Sequence, residues 1–81
     1  MKSDKRIENE IQIFLTNLSY LRRKYGYTKK QMAHLLGIGL PSLRMIEQGI
    51  LPPRLSTEVV LRAEEEFGIA AARLLSEKLD I

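Results

Sequence analysis

The chain has 81 residues, with 13 Lys and Arg against 10 Asp and Glu for a net charge of +3, and it contains no Cys and no Trp. So short a chain supports one core and not two, and without cysteine it excludes a disulfide framework and a thiolate metal site, which fits the cytoplasm. The polar start MKSDKRIENE and the lack of any apolar run of membrane-spanning length predict a soluble protein without signal peptide or membrane anchor.

Over residues 4–25, apolar side chains recur at Ile7, Ile11, Phe14, Leu18, Leu21 and Tyr25 in steps of four and three, which predicts one long amphipathic helix. Ser3 or Asp4 stands where its N-cap is wanted, and Gly26 where it stops. Residues 28–49, TKKQMAHLLGIGLPSLRMIEQG, then read as helix, tight turn, helix. Thr28 and Gln31 have capping-box spacing, and Tyr27 is offset from Met32 as a hydrophobic staple requires. Met32, Ala33, Leu35 and Leu36 form the apolar side of the first short helix, and Gly37 ends it, since glycine reaches the left-handed conformation without steric cost. The second short helix, over about 40–48, tolerates Pro41 in its first turn, buries Leu43 and Ile46, and closes at Gly49.

The proline pair makes residues 50–55, ILPPRL, a loop whose apolar side chains are expected to tuck under the domain. Ser56 is the expected N-cap of a fourth helix over 57–67, with Glu58 in its first turn, Val59, Val60, Ala63 and Phe67 inward, and Gly68 as its stop. Ile69 re-enters the core. A fifth helix over about 70–79 is carried by Leu74, Leu75 and Leu79 and lacks a good N-cap.

Charge is unevenly spread. Residues 22–54 hold seven bases, Arg22, Arg23, Lys24, Lys29, Lys30, Arg44 and Arg54, against the single acid Glu47, whereas residues 55–81 hold three bases and six acids. That asymmetry suggests one face attracting phosphates and another kept away from them. No nucleophile is paired with a base, and no glycine-rich loop is built to cradle phosphate, so no enzyme activity and no cofactor are expected. His34, the one histidine, reads as a surface residue without metal partners. The consecutive Glu64, Glu65 and Glu66 fan outward on a helix as a solvated face and do not converge on a metal.

Two short helices joined by a glycine-containing turn form the DNA-binding helix-turn-helix pattern. Here A-x-x-L-G-I at 33–38 and L-x-x-I-E-Q-G at 43–49 resemble the lambda-repressor-like (XRE-type) helix-turn-helix family. The resemblance extends through Arg22, Gly26, Pro52, Pro53, Ser56, Phe67 and Gly68, covering about residues 15–69. It implies an all-α fold of five helices in a single domain, with the motif as the second and third, a first helix longer than the family usually shows, and double-stranded DNA as the partner. It also implies that Gly39, Leu40, Pro41, Ser42, Arg44 and Met45 face bases, that Lys29, Lys30 and Arg54 meet phosphates, and that Arg22 and Glu47 form a structural ion pair.

The reading positions depart from the family habit, because relatives commonly present Gln, Ser, Thr, Asn or Arg there and this chain presents Gly39, Leu40, Pro41 and Met45. Ser42 and Arg44 remain as hydrogen-bonding candidates, Arg44 matched to guanine, while Leu40 and Met45 are matched to thymine methyls. Two functions follow: a DNA-binding transcriptional regulator, or a protein-interaction module that keeps the fold and uses Leu40, Pro41 and Met45 as its contact. A homodimer is expected on DNA, since one helix with two hydrogen-bonding readers supplies little discrimination. The start of the long helix, around Ile7 and Ile11, either overhangs the core as a dimer contact or packs on the last helix.

Overall fold

The computed structural model describes residues 2–53 and 55–79, and for residues 2–7 the backbone alone. Five helices follow one another: α1 (Lys2–Lys24), α2 (Lys29–Leu36), α3 (Leu40–Glu47), α4 (Thr57–Phe67) and α5 (Ala71–Ser76), with no strand among the described residues. At about 1.5 Å per residue, the 23 residues of α1 account for most of the 37 Å long axis. α1 is the spine. It packs against α3 and α5, while α2 packs against α3 and α4, and α4 against α5. α3 of the helix-turn-helix is thus seated between α1 and α2.

The core is drawn from the expected periodicities, with one large addition. Phe14, Leu18, Leu21, Met32, Ala33, Leu36, Leu43, Ile46, Val59, Ala63 and Leu74 are buried, and so is Leu15, fully, although it falls outside the four-and-three series read from the first helix. A 3.6-residue period makes the buried stripe wide enough to take two adjacent residues, and the helices on both flanks of α1 use that width. Ile11 packs against this core, whereas the Ile7 side chain lies outside the described residues.

Helix ends differ from expectation where a local signal competes with packing. α1 starts at Lys2, so Ser3 and Asp4 lie inside its first turn and not at its N-cap position. It ends at Lys24, one residue before Tyr25, which is 53% exposed and sits outside the core. Gly26 has φ +73°, and the turn it permits swings the Tyr25 ring out against Phe67, 5.4 Å between centroids, and Tyr27, 6.4 Å. In the loop after α3, Ile50 and Leu51 are 47% and 46% exposed instead of tucked beneath the domain. Pro52 is the buried residue there, and Leu55 packs partly on the core.

Ser56 occupies the N-cap position of α4 in extended conformation, but its hydroxyl makes no capping bond. α5 spans Ala71–Ser76, shorter than the 70–79 expected, because two side chains from elsewhere set both its ends. At its start, the Ala71 N–H donates to the carboxylate of Glu64 at 2.9 Å. At its finish stands Asn17, fully buried in α1, whose amide donates to the carbonyls of Leu74 at 2.9 Å and Glu77 at 2.7 Å and accepts from the Leu79 N–H at 3.0 Å. These three bonds divert the last carbonyls and draw the chain out of the helix, so that Leu79 packs on the core from beyond it. Glu64 is therefore a cap, and the solvated-face reading holds only for the exposed Glu65 and Glu66.

Candidate nucleic-acid interface

α2 begins with a complete capping box. The Gln31 N–H donates to the Thr28 hydroxyl at 3.0 Å and the Thr28 N–H to the Gln31 side-chain carbonyl at 2.8 Å. Its end is a left-handed Gly37, whose N–H and the next one, from Ile38, reach back to His34 and Ala33. A side chain at Gly37 would be strained by its φ of +71° and would also approach Arg62 of α4 to 3.1 Å. Arg62 is an exposed, flexible side chain that can give way, so it is the left-handed turn that calls for glycine at this position. Gly39 then enters α3 in extended conformation, Pro41 sits in the first turn, and Leu43 and Ile46 anchor the helix at 1% exposure each.

What holds α3 in place is Arg22. Its Nε and Nη2 donate to the two carboxylate oxygens of Glu47, the second at 3.1 Å, while Nη1 donates to the Tyr27 carbonyl at 3.0 Å. One planar guanidinium therefore ties together the end of α1, the approach to α2 and the end of α3. The two side chains retain 18% and 12% exposure, enough screening from water for the pair to be structural. A second tie is Gln12, whose amide donates to the Gly49 carbonyl at 3.0 Å just past α3.

With Leu43 and Ile46 inward, the other side of α3 is left outward. Pro41 and Arg44 are exposed, Leu40 and Met45 are half-buried, and Gln48, exposed at the C-cap, continues this stripe one turn beyond Arg44 and Met45. Gly39 is exposed at the N-cap. Ser42 is half-buried and lines a cleft of about 240 Å³ together with Gly37, Ile38, Gly39, Pro52 and Leu55. Lys29 and Lys30 are exposed in the first turn of α2, which carries no acid. Cations there oppose the helix dipole, so they do not stabilise the helix as acids would, whereas an arriving anion would meet lysines and helix N-terminus together. Arg54 lies outside the described residues.

A profile of the helix-turn-helix family matches residues 18–80, more than half of the chain. The chain belongs to the lambda-repressor-like (XRE-type) helix-turn-helix family. This is a family of DNA-binding, generally non-enzymatic domains, and its all-α fold is the one described above. Comparison with curated proteins and with solved structures finds no match. Among the described residues no cluster of three or more acidic or histidine side chains is placed to hold a metal, and no helix is long and apolar enough to cross a membrane.

Asn17, Gln12 and Gln48 are positions for which the sequence suggested no role, and Glu64 is one that it assigned to a solvated face. Asn17 did leave a signal, for an amide lying between Phe14 and Leu21 in an otherwise apolar register must either face out or find buried partners. Glu64 left none, because its partner is seven residues away across a turn.

Proposed function

We propose that this protein is a cytoplasmic transcriptional regulator that lays α3 in the DNA major groove and reads its site as a homodimer. The supporting observation is the coincidence of an outward stripe on α3, Pro41, Arg44 and Met45, with exposed lysines at the start of α2 and no acid in the first turn of either helix. Arg44 takes a guanine through its two-pronged fork, with Gly39, Leu40, Pro41, Ser42 and Met45 against neighbouring bases. Lys29, Lys30 and, by its place in the sequence, Arg54 take phosphates and fix the register without reading it. Two copies supply two half-sites about one helical turn apart, so the bound site is roughly palindromic.

The apolar character of Leu40, Pro41 and Met45 also supports a rival, in which this face docks a protein. Salt separates the two. Phosphate contacts make log affinity fall linearly with log salt, at about 0.9 per contact, whereas an apolar protein interface responds weakly. On duplexes selected from a randomised pool, Lys29→Ala and Lys30→Ala should each flatten that slope by about 0.9 and leave the preferred sequence unchanged. Arg44→Ala should relax the choice at one base pair and cost about 1–3 kcal/mol on the preferred site. A pool that yields no enriched sequence defeats the regulator reading.

A further inference from the structure

Resting on the major-groove reading just given, we infer that this protein recognises its site chiefly through pyrimidine C5-methyl groups, with Leu40 and Met45 as the readers and thymine as their main source. Beside the buried Leu43 and Ile46, α3 carries Leu40 and Met45 half-buried and Pro41, Arg44 and, at its C-cap, Gln48 exposed. Arg44 is the one charged reader. Pro41 has no polar side-chain atom, and Gln48 stands past the last helical residue. Ser42 is half-buried and lines the cleft beneath the turn together with Pro52 and Leu55. Hydrogen-bond readout therefore falls to Arg44 and Gln48, and the apolar Leu40, Pro41 and Met45 make up the rest of the surface.

That surface is not spare core. Leu43 and Ile46, which do pack inward, are 1% exposed, whereas Leu40 and Met45 keep partial exposure. An apolar side chain in the major groove can gain contact with only one feature of the base edges, the methyl at pyrimidine C5. Every other edge there presents a donor or acceptor that the side chain would desolvate without pairing. Attraction to the methyl and the penalty against other edges act in the same direction, which is how an apolar surface becomes selective. Met45 has the unbranched, adaptable thioether side chain suited to this contact, and Arg44 beside it adds a guanine. The expected site holds a guanine with thymines next to it.

The test alters the DNA and leaves the protein intact. Duplexes selected by the full chain from a randomised pool are remade with deoxyuridine for each thymidine in turn, which removes the methyl and keeps Watson–Crick pairing. At the positions facing Leu40 and Met45, each lost methyl should weaken binding about fourfold, the worth of one buried methylene-sized group. Met45→Ala should make the protein indifferent to uracil at one of these positions and leave its sensitivity at the other. A second arm places 5-methylcytosine at each cytosine. Sensitivity to uracil assigns thymine, and a gain confined to 5-methylcytosine assigns methylated cytosine as the source. Binding of the all-uracil site within twofold of the parent, with no gain from 5-methylcytosine, overturns the inference while the regulator reading stands. If no duplex is enriched at all, both fall together.

Discussion

α1 fastens two halves of this molecule in different ways. On the motif side, Arg22 grips Glu47 and the Tyr27 carbonyl with a charged fork near the surface. On the C-terminal side, the fully buried Asn17 holds the end of α5 with a neutral amide and three bonds to backbone. The charged clamp works where its edge still reaches water, at 18% and 12% exposure, and the neutral one works where an ion could not be desolvated cheaply. Fixing α3 to α1 sets the helix proposed to read DNA, whereas fixing α5 closes the core where α1, α4 and α5 meet.

The largest way to break this comparison is Glu47→Ala. It leaves Arg22 without its carboxylate and should cost about 3 kcal/mol, the low end for a buried pair because this one is partly exposed. For a domain of this size that is a fall in Tm of more than about 10 °C by calorimetry. A variant melting like the parent would show that the charged clamp carries no stability. Asn17→Ala is next, at about 2 kcal/mol, since two carbonyls and an N–H lose their partner in or near the core. Hydrogen exchange sharpens the contrast: Asn17→Ala should first deprotect α5, and Glu47→Ala should first deprotect α3. Equal deprotection of both helices by both variants would mean that the halves open as one unit and the distinction has no energetic content.

Smaller effects compare helix starts. Thr28→Ala removes a cap made inside α2 and should cost about 1 kcal/mol. Glu64→Ala removes the cap that α4 lends to α5, and about 0.5–1 kcal/mol should be lost with it. Combined with Asn17→Ala, the Glu64 change should be less than additive, because both act on one helix. Ser56→Ala, at a position whose hydroxyl makes no capping bond, should change stability by less than about 0.5 kcal/mol in denaturant titration. A larger loss there would show a cap that forms only in solution.

Much of this fold was legible before any coordinates. The Thr28–Gln31 box, the glycine that ends α2, and the burial of Leu43 and Ile46 each follow from residues within one or two turns of one another. The Arg22–Glu47 pair came from family resemblance and not from spacing, and the structure forms it. The exposure of Ile50 and Leu51 could not be read, since hydrophobicity says what a side chain prefers and not whether a neighbour has room for it. Tyr25 went astray similarly, continuing the apolar register of α1 after the Gly26 turn had taken it off the helix.

The sequence by itself thus determined where α2, α3 and α4 start and stop by local stereochemistry, which faces are apolar, and that the basic residues collect around the motif. Only the tertiary structure decided that Asn17 is a clamp, that Glu64 caps a helix it does not belong to, and that Gly37 lies beneath Arg62. It also decided that Leu15 is core and that Ser42 lines a cleft. The physical reason is range. Backbone stereochemistry and helical period act over a few residues and are written in their order, whereas a hydrogen bond from Asn17 to Leu74 depends on two helices being brought together by a core that no single segment encodes.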